Sequence, residues 1–251
     1  MEIITVASQK GGTGKTTTAA AVSCWAVEHG QRAVVVDLDP QASLTHIFGG
    51  DGNAPGAYEF LKGTPAEQLV QTFDGLPDLI SANLKLAGAE SEFSTQPGRD
   101  FFLKESLAVV SDRWDLVVID TPPTLGTLLV NALTASSKAI IPLQVDTFAA
   151  QAVYQLMGTV EQVRKYCNRS LTVSGVLPTR FSSRTVLARD HMDDLAEKCA
   201  ALNLPLLPPI SEGVAVRESQ TMQQSLFTYA PKSKPAQDYD AAIRNILGGV
   251  R

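Results

Sequence analysis

Between the apolar run "IITVA" at 3–7 and the alanine-rich stretch that begins near residue 15 stands "SQKGGTGKTT". This junction limits the fold more than any other segment. Glycines at 11, 12 and 14 let backbone N–H groups turn inward, and a helix that starts at the same point adds the positive end of its dipole. Such a turn is built for an anion, and its strand-to-helix setting requires an α/β architecture. Lys15 stands where an ammonium would meet the β- and γ-phosphates of a nucleoside triphosphate. The Thr16 hydroxyl stands where it would ligate Mg²⁺. Gly11, Gly12, Thr13, Gly14 and Thr17 complete the expected phosphate cradle. Gln9 occupies the place of the first glycine in the general G-x-x-x-x-G-K-[ST] pattern, and a second lysine, Lys10, precedes the glycines.

The rest of the chain repeats the same alternation. Apolar, β-branched runs recur at 32–37, 115–120, 138–143 and 171–177, with amphipathic stretches of helical length at 15–29, 100–112, 125–136 and 147–167. Strands that are apolar throughout and separated by helices predict a doubly wound, mostly parallel sheet with helices on both faces. Ligands of such sheets bind beyond the carboxyl ends of the strands. Four runs end in polar or special residues: Ser8-Gln9-Lys10, Asp37-Leu38-Asp39, Asp120-Thr121-Pro122 and Pro178-Thr179-Arg180. Residues 45–100 are the least regular and read as short helices and loops, with a possible strand at "PDLIS". No linker rich in Pro, Gly or Ser divides the 251 residues, so one domain over 1–251 is expected.

Composition narrows the class further. Apolar residues make up 44% and charged residues 19%, the balance of a globular chain without a long disordered tract. No basic leader opens the sequence and no run of about 18 apolar residues interrupts it, so a cytoplasmic location without membrane insertion is expected. Cys24, Cys167 and Cys199 make no CxxC pair, which argues against a disulfide framework or a zinc site. The net charge of −5 leaves room for nucleic-acid binding only through a local basic patch.

"KGGTGKTT" resembles the deviant Walker A motif K-G-G-x-G-K-[ST] of the ParA/MinD ATPases, a P-loop NTPase group. "VVVDLDPQASLT" at 34–45, "DLVVIDTPPTLGTLLVNAL" at 115–133, "SSRTVLARD" at 182–190 and "VAVRES" with "YAPKSKPAQDY" resemble later segments of the same family, in the same order. The likeness is greatest to the short, Soj-like ParA type. It implies an ATPase with slow intrinsic turnover, ATP and Mg²⁺ as cofactors, and an ATP-dependent sandwich homodimer in which Lys10 reaches the nucleotide of the other subunit. Asp39 is implied as the residue that orients the attacking water. Thr16, Asp39 and Asp120 are implied around the metal, with Asp37 nearby. Arg184 and Arg217, extended by Lys232 and Lys234, are implied as contacts to double-stranded DNA of any sequence, although Asp190 and Glu218 stand close enough in sequence to pair with the arginines instead. A centromere-binding, ParB-like partner and nucleoid association complete the expectation.

The adenine is expected near Thr179, Arg180, Pro208 and Pro209, which follow the last strands. Two other readings of the same fold remain open: a MinD-like ATPase at a membrane surface and an ATP-dependent biosynthetic ligase. The first needs a basic amphipathic C-terminal helix. Ile243, Ile246, Leu247 and Val250 form a stripe there, but Asp238 and Asp240 flank it, and packing on the body is expected. The second needs a pocket for an acid substrate.

Overall fold

The computed structural model describes residues 1–248. Strand β1 (Glu2–Val6) runs through the glycine loop into α1 (Lys15–Glu28), followed by β2 (Ala33–Asp37), α2 (Ser43–Ile47) and α3 (Ala57–Leu61). Two short strands, β3 (Val70–Gln71) and β4 (Asp78–Ile80), precede α4 (Leu86–Phe93) and α5 (Phe102–Ala108). Then come β5 (Leu116–Asp120), α6 (Thr127–Ala135), β6 (Lys138–Gln144), α7 (Ala149–Tyr166) and β7 (Thr172–Thr179). Helices α8 (Val186–Ala201), α9 (Val214–Thr221), α10 (Leu226–Tyr229) and α11 (Lys234–Leu247) close the chain.

The seven strands form one sheet in the order β3-β4-β2-β5-β1-β6-β7. All pairs are parallel except β3 with β4. Strand β1 lies at the switch point: β2 and its neighbours build on one side of it, β6 and β7 on the other, which opens a crevice at the carboxyl ends where the glycine loop emerges. The register sets Asp120 level with both Val6 and Asp37. Two of the expected acidic residues therefore arrive side by side at that edge.

Both faces of the sheet are buried, and the strand period of two distributes its side chains between them. Val35 and Val118 pack under α1 and α11, in a cluster with Trp25, Tyr239 and Ile243. Val34, Val36, Val117 and Ile119 pack under α4, α5 and α6. A third cluster fills the space beneath α7 and α8. Helix α1 is buried from Thr18 to Ala26 because α10 and α11 cover the side that the sheet does not, with the Trp25 indole N–H donating to Asp240 at 2.7 Å. The same packing answers the question of the C-terminal stripe. Ile243 and Ile246 are buried against the body, while Val250 lies outside the described residues. No helix among the described residues is long and apolar enough to cross a membrane.

Within the "PDLIS" run, where a strand was expected, Asp78–Ile80 form β4. The helix expected over 100–112 is shorter: a 3-10 turn over Arg99–Phe101 precedes it, and the chain leaves helical geometry after Ala108 to bring Trp114 into the core.

Candidate functional site

Gly12 and Gly14 hold φ angles of 73° and 84°, values that an L side chain strains to reach, so the loop can curl its N–H groups inward only with glycine at these places. Gly14 also caps α1, and its carbonyl accepts from the Thr18 N–H at 2.8 Å. The Thr179 hydroxyl, at the end of β7, stands 2.8 Å from the Thr13 carbonyl and 3.1 Å from that of Leu143. Thr179 thus braces the loop against the far half of the sheet as well as lining the cavity in front of it.

The two lysines differ in surroundings. Lys15 is buried; its ammonium lies 3.3 Å from the Lys10 carbonyl, and burial pulls its pKa below the ordinary lysine value while the charges of Asp120 and Asp39 pull it back up. Lys10 is about half exposed and forms an ion pair with Asp146, in the loop between β6 and α7. It does not line the cavity.

The three carboxylates also divide by environment. Asp37 is fully buried and accepts at Oδ1 from the Asp39 N–H (3.1 Å) and at Oδ2 from the Thr45 N–H and hydroxyl (both 2.8 Å). Burial pushes its pKa up to about 6, against the pull of the Thr45 hydrogen bonds. The Asp39 Oδ1 is fixed by the Gln41 N–H at 2.9 Å, and Asp39 lines the cavity. Asp120 is fully buried, with Oδ1 accepting from the Thr121 N–H at 3.1 Å and Oδ2 without a partner among the described residues. Burial first, and the neighbouring Asp37 second, raise its pKa well above the usual carboxylate range.

An orphaned buried oxygen on a carboxylate is costly, and here it sits beside the Thr16 side chain in front of the phosphate loop. Hard oxygen donors, few in number and supplied by Thr16, Asp39 and Asp120, suit Mg²⁺ that keeps most of its waters and takes the rest of its ligands from phosphate. Among the described residues no group of three or more His, Cys, Asp or Glu side chains could hold a metal ion.

One stability prediction follows from Asp120. A folded-state pKa above the unfolded value means that its stabilising neutral form is fully present below the unfolded pKa of 3.8 and is lost as pH rises through the folded value. Asn at this position is neutral at every pH. Asp120→Asn should therefore raise the thermal midpoint of the nucleotide-free protein at pH 8, by about 1–3 kcal/mol of stability, and do so less at pH 5. Thermal unfolding at the two pH values checks this, and an unchanged or lower midpoint at pH 8 would contradict it.

In front of the loop lies a cavity of about 500 Å³, a size suited to a nucleotide. Gly11 to Thr17, Asp39, Thr179 and Arg180 line it. Arg180 adopts a left-handed φ of 52° and faces Glu212 at 3.7 Å. Pro208 and Pro209, expected at the base, are exposed and stand outside the cavity; its wall is Ile210, Ser211, Glu212 and Gly213 instead. Hydrogen bonds from Ile210 N to Pro178 O (2.8 Å) and from Phe181 N to Ile210 O (2.9 Å) bring that segment to the end of β7. The sequence reading also missed Val216, Gln220 and Tyr239; the one hint was Gly213, a helix-start glycine shortly after the two prolines.

The four basic residues expected to meet DNA separate as well. Arg184, Arg217 and Lys232 are exposed, and among the described residues none pairs with a carboxylate, so Asp190 and Glu218 do not neutralise the arginines. Lys234 is held by Asp238 at 2.7 Å, whose other oxygen accepts from Ser211 N at 2.9 Å in the cavity wall. Arg217, on α9, lies at the cavity itself.

Comparison with known proteins agrees with this geometry. A family model described as an AAA domain matches residues 1–173. The chain is 33% identical to the chromosome-partitioning ATPase Soj of Thermus thermophilus, over 99% of this chain and 96% of that protein. It is 32% identical to the sporulation initiation inhibitor protein Soj of Bacillus subtilis, over 95% of each. Among solved structures, cobyrinic acid a,c-diamide synthase from Mycobacterium smegmatis with bound ATP analog and magnesium is 37% identical, with a TM-score of 0.84, covering 97% of this chain and 94% of that one.

Proposed function

Since the chain belongs to the Soj/ParA family of chromosome-partitioning ATPases, we propose that ATP joins two copies through their phosphate loops, and that the pair binds duplex DNA without regard to sequence until a ParB-like partner releases it by speeding hydrolysis. The protein is an ATPase that uses ATP and Mg²⁺. Its action on DNA would keep it on the nucleoid. The single observation that carries this reading is the division between the two lysines. Lys15 is buried beside carboxylates in its own site, whereas Lys10, at the start of the same loop, is exposed and pairs with the half-buried Asp146.

In the chemical step the phosphate loop orients the triphosphate and Lys15 neutralises the β- and γ-phosphate oxygens. Asp39 holds the attacking water, with its Oδ1 fixed by the Gln41 N–H. Thr16, Asp120 and Asp39 are the residues that would hold Mg²⁺, which when bound supplies charge neutralisation on the phosphates. None of these groups is a strong base, so intrinsic turnover is slow.

Lys10 adds the second positive charge in trans. Leaving Asp146 costs little, because an exposed ion pair is worth about 0–1 kcal/mol. Lys10→Ala should therefore retain ADP binding by the single subunit and lose the ATP-dependent dimer. Light scattering with a slowly hydrolysed ATP analogue reads the mass directly. A dimer of wild-type affinity from Lys10→Ala would defeat the trans contact.

A second reading is favoured by the description of the Mycobacterium smegmatis neighbour as a diamide synthase. In that case ATP would activate a carboxylic acid for amide formation in the same cavity. ATP turnover that depends on an added acid and an amide donor, and ignores DNA, would select it.

A further inference from the structure

We propose that Thr45 is a positioning residue for hydrolysis: its hydroxyl clips the loop that carries Asp39 to Asp37 on one side and to the end of β4 on the other. The proposal deepens the reading of Asp39 given above and rests on it.

The loop from Asp37 to Thr45 begins and ends on one carboxylate. Asp37 accepts from the N–H of Asp39 at its start and from the N–H and hydroxyl of Thr45 at its end. The Thr45 hydroxyl is a donor in one direction and an acceptor in the other, since the Ala82 N–H, just past β4, donates to it at 2.9 Å. Every atom in this chain of hydrogen bonds is buried. Asp37, although acidic and near the site, does not line the cavity; both of its oxygens are occupied by the loop.

Between the two clips the backbone is strained. Ala42, the residue before α2, holds a φ of 54°, which a residue with a Cβ adopts only where its surroundings over-determine it. The Ala42 N–H donates to the Asp39 carbonyl at 2.8 Å, and the Gln41 N–H donates to the Asp39 carboxylate. Asp39, Gln41 and Ser43 all face the cavity from this one loop. A catalytic carboxylate carried on a strained loop keeps its position only while the ends of the loop stay fixed, and Thr45 is the end that ties it to a second strand. Loss of the hydroxyl leaves Ala82 N–H without an acceptor and Asp37 Oδ2 with one donor fewer, so the loop shifts to satisfy them. Misplacement of about 1 Å at a reacting group costs on the order of 100-fold in rate.

The test compares Thr45→Val, which keeps shape and removes the hydroxyl, with Thr45→Ser and with Asp39→Ala. Steady-state turnover at saturating ATP, the Kd of a fluorescent ATP analogue and the thermal midpoint are measured for each. Thr45→Val should lose about 10- to 100-fold in turnover while its nucleotide Kd stays within about threefold of wild type, and Thr45→Ser should recover most of the rate. Thr45→Ala, which also removes the hydroxyl from both Asp37 and Ala82 N, gives the same reading if the valine form does not fold. Turnover within about twofold of wild type in Thr45→Val, beside an inactive Asp39→Ala, overturns the positioning role and leaves Asp39 in place. Equal losses of affinity and rate with a lowered midpoint also overturn it, by showing that Thr45 only holds the fold. Asp39→Ala turning over at the wild-type rate removes the underlying assignment instead.

Discussion

Lys15→Ala weakens ADP and ATP binding by about 100-fold or more. The ammonium is buried at the start of α1, and the bound triphosphate would be its principal anionic partner. Charge-assisted hydrogen bonds of this kind contribute about 1.5–3 kcal/mol each, and every 1.4 kcal/mol is a tenfold change in affinity. The nearby carboxylates sharpen the effect. Asp39 and Asp120 stand close enough to act on Lys15 through their charge, so removal of the ammonium leaves them facing the phosphates uncompensated. The fold should survive, since among the described residues the ammonium makes one hydrogen bond, at 3.3 Å, to the Lys10 carbonyl. Isothermal titration with ADP and with a slowly hydrolysed ATP analogue measures the loss. Affinity within about threefold of wild type would mean that the nucleotide is held elsewhere, since a lost charge-assisted contact cannot cost so little.

Joint replacement of Arg184 and Arg217 by Glu should abolish the proposed ATP-dependent binding to duplex DNA. A net charge of −5 on each chain opposes association, so the proposed binding would have to come from a few local contacts, counted twice in the proposed dimer. Both arginines are exposed and free of carboxylate partners among the described residues, and each reversal exchanges attraction for repulsion. Contacts to phosphate are indifferent to sequence, and each one lost lowers the slope of log affinity against log salt by about 0.9. Arg184 lies in the loop before α8, away from the cavity lining, whereas Arg217 lies at the cavity. Arg184→Glu alone should therefore weaken DNA binding at constant nucleotide affinity, and the double variant needs its nucleotide Kd measured alongside. DNA binding by the double variant at wild-type affinity and with an unchanged salt slope would place the contact surface elsewhere. Lys232 is the exposed lysine left to test, because Lys234 is already engaged by Asp238.

The glycine loop, the buried parallel strands and the acidic strand ends were all legible in the sequence, because each depends on neighbours only a few residues away. Gly12 and Gly14 are where a positive φ is required, and Val34, Val35 and Val36 are apolar in succession because both faces of their strand are covered. The strand order, with its switch point at β1, and the pairing of β2 with β5 that brings Asp37 level with Asp120 came only with the fold. What the tertiary structure decided is which way each polar side chain at that edge was spent. Asp37 closes a loop through Thr45 and Ala82, residues 8 and 45 positions away, so its acidic character alone could not tell a ligand from a clip. Lys10, beyond β1, meets Asp146, beyond the neighbouring β6; the cavity wall falls on Ile210–Gly213 rather than Pro208–Pro209, and Arg217 arrives beside the cavity on α9. Local sequence sets backbone conformation and strand composition through short-range sterics and periodicity, whereas the partner of a buried or half-buried charge is chosen by packing between segments far apart in the chain, and that choice exists only in the folded protein.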